Sequence, residues 1–234
     1  MRIKLIHKKL ALLLLAFLML SCQSMQSSFG EFKLNNYREA MLTTIGYKDN
    51  SLFYPNKFVS FATITTENPI QVHIKKDSIK LNKRQQLEFE YEEAQSDSLA
   101  KLKKPVTLIS IFNKQDLIKQ INAQVDLTAR PDLEVVTDIL VKDQSAFERL
   151  IKADVNFFQF NSRQNAYEFV YFKNGEKGIV IINPNLVIGY KSMFLCCKTT
   201  NGKLTVKNLS ENKCPAESFK TLNDNSKTEN YEKL

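Results

Sequence analysis

Imidazole chemistry is nearly absent from this chain. Its 234 residues hold two histidines. His7 stands in the extreme N-terminal stretch, which leaves His73. Zinc sites draw on several His or Cys ligands, and Ser-His-Asp or Cys-His catalysis needs a positioned base. His73 alternates with Val72 and Ile74, so on a strand it faces water. Glu88, Glu90 and Glu92 alternate with Leu87, Phe89 and Tyr91 and would project from one strand face at about 7 Å intervals, twice the ~3.4 Å rise. That spacing suits a glycosidase acid pair, which needs about 5 to 9.5 Å. Three identical charges in alternation are also what a solvated strand face looks like, and the flanks carry no sign of a sugar cleft. Asp126, Asp132, Asp138 and Asp143 lack the spacing of a calcium loop. The six glycines form neither a dinucleotide fingerprint nor a P-loop. The expectation is therefore no metal, no cofactor and no enzyme. The alternative is a hydrolase working through Glu88, Glu90 or an aspartate from 126 to 143.

The N-terminus carries a different chemistry. Arg2, Lys4, Lys8 and Lys9 precede an unbroken apolar run from Leu10 to Leu20, and Ser21 and Cys22 follow. This is the layout of a secretory signal peptide. As a helix the run spans about 16 Å at ~1.5 Å per residue, short of a bilayer core of ~30 Å. Leu18-Met19-Leu20-Ser21-Cys22 resembles the lipobox of bacterial lipoproteins, with Met19 where Leu is usual. The resemblance covers some 25 residues and implies cleavage before Cys22, acylation of that cysteine and a lipid anchor in the bilayer. In that class an Asp directly after the cysteine retains many Gram-negative proteins at the inner membrane. Gln23 in its place implies an outer-membrane anchor, and the missing acidic export tag favours a periplasm-facing position. Residues 22–31 are expected to be the lipidated cysteine and a polar flexible tether.

Removing 1–21 also changes the charge balance. The segment takes four of the 33 basic residues and none of the 25 acids. The 29 that remain are scattered among glutamates, so no nucleic-acid partner is expected. With the signal gone, Cys196, Cys197 and Cys214 face an oxidising compartment. A two-residue turn at Asn201-Gly202 pairs Thr199 with Leu204, Cys197 with Val206 and Cys196 with Lys207. Cys197 then shares an apolar face with Leu195, Leu204 and Val206. Cys196 shares a polar one with Lys198, Lys203 and Lys207. Cys214 can return over either face. A Cys196–Cys214 bridge is preferred, with Cys197 as the alternative partner.

Hydrophobic residues at 43% with 16 Phe and 8 Tyr exclude a largely disordered chain. A chain this long buries roughly 70% of its unfolded surface and needs no staple to hold a core. A helix is expected at about 37–45, with Asn36 and Glu39 in capping-box positions and Gly46 at its end. Strands are expected at 57–66, 70–75, 87–92, 105–112 and 133–141. Asn113 should cap a helix to about Ala123, and Asp143 a second one around Ala146 to Ile151. Strands at 155–160, 166–173, 176–183, 186–197 and 203–208 follow, with Asn174-Gly175 as a type I′ hairpin turn. The fold expected is α+β: a C-terminal five-strand antiparallel meander and N-terminal strands, with two or three short helices on one face. One domain is expected at 32–214, with a subdivision near 93–104 and a loose tail at 215–234.

Phe158, Phe160, Tyr167, Phe169 and Tyr171 place rings on one hairpin and form the candidate binding surface. Leu52-Phe53-Tyr54-Pro55 is a weaker one. The functional expectation is an outer-membrane-anchored lipoprotein that binds another envelope protein, a peptide strand or a glycan. A structural accessory of a secretion or assembly machine is a third class.

Overall fold

The computed structural model describes residues 24–35, 38–49, 57–64, 69–80, 103–127, 132–161, 163–164, 166–200 and 203–215. Cys22, the loop at 52–55, Glu88, Glu90, Glu92, the Asn201-Gly202 turn and the tail beyond Pro215 lie outside them, as does nearly all of 93–104. Twelve strands join one sheet: β1 (Ser24–Ser27), β2 (Gly30–Leu34), β3 (Thr44–Asp49), β4 (Lys57–Thr63), β5 (Ile70–Lys80), β6 (Lys103–Ile111), β7 (Glu134–Lys142), β8 (Val155–Asn161), β9 (Ala166–Lys173), β10 (Glu176–Ile182), β11 (Val187–Thr200) and β12 (Lys203–Ser210). Two α-helices occur among the described residues, α1 (Lys114–Gln124) and α2 (Phe147–Ile151).

The centre of the sheet is the β7–β11 ladder, and each of its outer edges is shared by two neighbours. β7 pairs β6 over Asp138–Lys142 and β3 at Glu134 and Val135. β11 pairs β2 at Gly189 and Tyr190 and β12 from Phe194 to Thr200. The sheet therefore forks at both edges of its central pair. Beyond the fork one arm runs β6-β5-β8-β9-β10. The arm's pairings are all antiparallel.

Each face of this sheet carries a core. The larger holds Ile109 of β6, Ile139, Val187 and Tyr190 of the central pair, Phe158, Tyr167 and Phe169 of the meander, and the buried sides of both helices. The smaller packs Ile79, Val106, Leu108, Leu140 and Ile188 beneath Met25 and Phe32 of the β1–β2 hairpin. Gly189 admits that hairpin. A Cβ there would lie 2.3 Å from Met25 Cε.

The α+β expectation is overturned: the fold is β-rich, and a strand hairpin rather than a helical layer covers the second face. Two local differences contribute to it, and a third concerns a helix cap. The segment expected as tether contains β1, because Met25 is driven into the smaller core at 1% exposure. The helix expected at 37–45 is a turn running into β3. Thr43 takes φ 66°, and Glu39 is drawn to β4, pairing with Lys57 at 2.9 Å and accepting from Ser60 N–H. Asp143 does not cap α2: it accepts from Thr107 Oγ1 at 2.7 Å, and no side chain caps that helix. Asn113, by contrast, accepts from the amides of Gln115 and Asp116 at the start of α1. Asn174 and Gly175 both take positive φ, 51° and 81°, as a type I′ turn requires.

The irregular residues Arg38–Thr43 cross the core and must satisfy their main chain inside it. Asn35 does part of this, accepting from Ala40 N–H at 3.1 Å and donating to Ala40 O at 3.0 Å. Thr43 N–H donates to Val136 O at 3.0 Å. Leu42 N–H donates to the buried Tyr167 hydroxyl at 2.8 Å. Tyr167→Phe keeps the ring and leaves that amide without its acceptor. Urea unfolding should then show a loss of about 1–3 kcal/mol; an unchanged midpoint would show that the contact does not hold the segment.

Candidate functional site

A cleft of about 560 Å³ opens at the fork, bordered by β2, β3, β7 and β11. At its centre is Glu134, the first residue of β7, with a side chain only 3% exposed. Lys33 on β2 reaches its Oε2 at 3.1 Å, and Lys48 on β3 reaches Oε1 at 3.4 Å. Ser192 on β11 donates its hydroxyl to Oε2 and accepts from Lys33 Nζ at 2.9 Å. Four strands thus send one polar side chain each to a single point.

Local distortions aim these groups. Lys191 pairs Asp138 and Ser192 pairs Val136, so Thr137 is an extra residue in β7 at the level of the cleft. A second step of this kind lies opposite Ile45 and Gly46, with Phe61 extra in β4. Such bulges re-aim side chains and are common beside functional sites. Tyr190 is 2% exposed, and Lys33 Nζ lies 5.6 Å from its ring centroid.

The electrostatics follow from burial. Desolvation pulls the Lys33 ammonium down to about 8. Glu134 opposes this, and the neighbouring Lys48 charge reinforces it. Burial, with the Glu134 charge adding, pushes the Tyr190 phenol up. A serine nucleophile activated by lysine needs a neutral amine that accepts the hydroxyl proton. Here Lys33 donates to Ser192, and the Ser192 proton is directed at Glu134. The geometry describes a held ion cluster with two cations against one carboxylate, facing an open cleft.

None of these four residues was singled out from sequence. Lys33 and Ser192 are 159 positions apart. The one available signal was Glu134 itself, a carboxylate among Leu133, Val135 and Val136 that a buried strand would have to pair. Of Asp126, Asp132, Asp138 and Asp143, the cleft takes Asp138. His73 is exposed on β5, edge-on to Phe112 with ring centroids 4.4 Å apart. Among the described residues no group of His, Cys, Asp and Glu is arranged to hold a metal ion.

The residues offered as a binding surface are placed otherwise. Phe158, Tyr167 and Phe169 are 0% exposed, and Phe160 and Tyr171 pack against the larger core. The five face inward because period-two alternation put them opposite Ile70 and beside Val180 and Ile182. The other face of the same strands is the open one. Phe157, Val170 and Ile179 are cross-strand neighbours there, and Ile179 and Ile181 are 56% and 58% exposed. Among the described residues β10 pairs β9 alone, so it is an edge of the sheet.

Cys196 is bonded to Cys214, with Cα atoms 5.3 Å apart, and Cys197 is the buried free thiol, pushed up to about 11 by burial. Thr199 pairs Leu204 and Cys197 pairs Val206. Cys196 pairs Asn208 rather than Lys207, because Lys207 is extra in β12 at that step.

No protein-family model matches the chain, and no curated protein matches it. The class the fold defines is a forked antiparallel β-sheet domain.

An amine reagent applied across a pH series, with peptide mapping, should label Lys33 with a midpoint near pH 8. An unperturbed lysine amine titrates near ~10.4. Below the midpoint Lys33 is charged and protected; above it the amine is neutral and reactive. Glu134→Gln removes the stabilising negative charge, so the midpoint should fall further. An ordinary midpoint in the parent protein would contradict the burial of this amine.

Proposed function

We propose that the protein is a lipid-anchored module of the bacterial envelope that binds a partner protein by adding one of the partner's strands to β10. The observation that carries the binding mode is the combination of an edge strand with Ile179 and Ile181 exposed on it. Natural sheet edges are commonly blunted by charge. β12 follows that practice, exposing Lys203 and Lys207. β10 exposes Glu176 and Lys177 at its start, but further along it presents isoleucines at i and i+2, beside Phe157, Val170 and Phe172 on the same outer face. An added strand would take its affinity from main-chain hydrogen bonds and its specificity from alternate side chains against this surface.

The anchor rests on the residues Leu18 to Cys22, the outer-membrane position on Gln23, and the periplasm-facing side on the missing acidic export tag. β1 begins at Ser24, two residues beyond Cys22. An acylated Cys22 would therefore hold the folded domain close to the bilayer, since two extended residues span about 7 Å.

Two experiments test this reading. Cys22→Ala should abolish acylation and release the processed protein from the membrane fraction, and the wild-type domain should survive protease shaving of intact cells. Retention of the variant on membranes would remove the anchor from the proposal. For the binding mode, a photo-crosslinking residue is placed at 179 or 181 in cells, with 203 on β12 as control. Crosslinks to another envelope protein from 179 and 181 but not 203 are expected. Ile179→Lys with Ile181→Lys should abolish its co-purification while leaving stability within about 0.5 kcal/mol, as exposed substitutions do. A crosslinked product of two identical chains would make β10 a self-association edge, and equal crosslinking from 203 would end the proposal.

A further inference from the structure

We infer that the cleft at the fork is a binding site for a small zwitterionic ligand, with its anionic group between Lys33 and Lys48 and its cationic group at the acidic side chains of the lining. The inference does not depend on the β10 reading and uses a different part of the fold.

The cleft carries charge of both signs. The floor holds two ammonium groups and one carboxylate, Lys33 and Lys48 against Glu134. The carboxylate is enclosed, but the lysine side chains keep 36% and 30% of their surface open. An ammonium offers three donors. Lys33 directs two of them at Glu134 and Ser192. Among the described residues the floor thus presents one positive charge in excess. The other charged lining residues have the reverse balance, Lys114 and Lys191 against Glu31, Asp138 and Glu211; Glu31, Lys114 and Glu211 are exposed, and Asp138, which accepts from Thr137 Oγ1, and Lys191 are partly buried. Lys191 is further committed, donating to Phe29 O and lying 4.3 Å from the Phe32 ring centroid.

A ligand with only an anionic group meets attraction at the floor and repulsion from the other lining residues; one with only a cationic group meets the opposite. A ligand carrying both signs is matched by both sets. Tyr190, Met193 and Phe194 supply apolar wall to the cleft. The volume, about 560 Å³, is in the range of small-molecule pockets. The chemistry fits a carboxylate or phosphodiester joined to an amine by a short linker. Two sources share it: a free amino acid and the headgroup of an ethanolamine phospholipid.

The test is calorimetric or fluorescence titration of the full protein in a non-ionic detergent. Leucine and glycerophosphoethanolamine are the zwitterions, with acetate, dimethyl phosphate and ethylamine as single-charge controls. At least one zwitterion should bind saturably and about tenfold or more tighter than its single-charge controls, the scale of one charge-assisted hydrogen bond. A response to leucine assigns the free amino acid, and a response to glycerophosphoethanolamine the lipid headgroup. Lys48→Met should weaken binding by about tenfold, and Asp138→Asn should erase the preference for the zwitterion over the bare anion. Melting curves confirm that both variants fold, and Lys48→Arg, which keeps the charge, should restore binding. The inference is overturned if neither zwitterion binds, if acetate or dimethyl phosphate binds equally well, or if folded Lys48→Met binds as the parent does.

Discussion

Everything in this structure depends on two strands having more neighbours than a flat sheet allows. β7 and β11 pair with each other along most of β7, and each has a single outer edge on which to place two further partners. Two strands cannot occupy the same stretch of edge, because neighbouring strands lie about 4.8 Å apart and each backbone donor is used once. The edge is therefore divided: β6 then β3 along β7, β2 then β12 along β11. The divided partners diverge, and between them the fork opens. The register steps at Thr137, Ile188 and Lys207 fall on these same strands or beside them, where added twist separates neighbours.

The cleft is a consequence of that division. Where partners diverge the main chain is less shielded, and the side chains at the branch point decide whether the gap is stable. A lone buried carboxylate would cost several kcal/mol. Glu134 is tolerated there because β2 and β3, the strands that diverge, each bring a lysine to it, and β11 brings a hydroxyl. Desolvation then works on Lys33, which is driven to about 8 while Glu134 stays paired. The polar cluster and the fork belong to one physical solution.

A second constraint shapes the meander. Period-two alternation assigns every ring of β8 and β9 to one of two faces, and a one-residue shift would exchange them. Both faces of this hairpin are apolar in sequence, so pattern alone could place rings on the hairpin but could not say which set met the core. Packing of Ile70, Val180 and Ile182 on one side decided it, and Phe157, Val170 and Phe172 took the other. The tether region followed the same logic. Ser, Gln and Met in succession read as a polar linker, yet Met25 has a place over Gly189 that no local pattern records.

What the sequence determined by itself is what local chemistry determines. Asn113 starts α1 because its side chain reaches amides two and three residues on, and Asn174-Gly175 turns β9 into β10 because those two residues accept positive φ. Alternation in 70–75 announced a strand, since a half-buried pleat leaves that mark within a few residues. The tertiary structure decided the rest. Which strand pairs with which, which face of the meander is covered, and the meeting of Lys33, Lys48, Glu134 and Ser192 all depend on contacts between distant residues. A stretch of sequence carries its own hydrogen-bonding and steric preferences, but not the position of the strand that will satisfy it from across the fold.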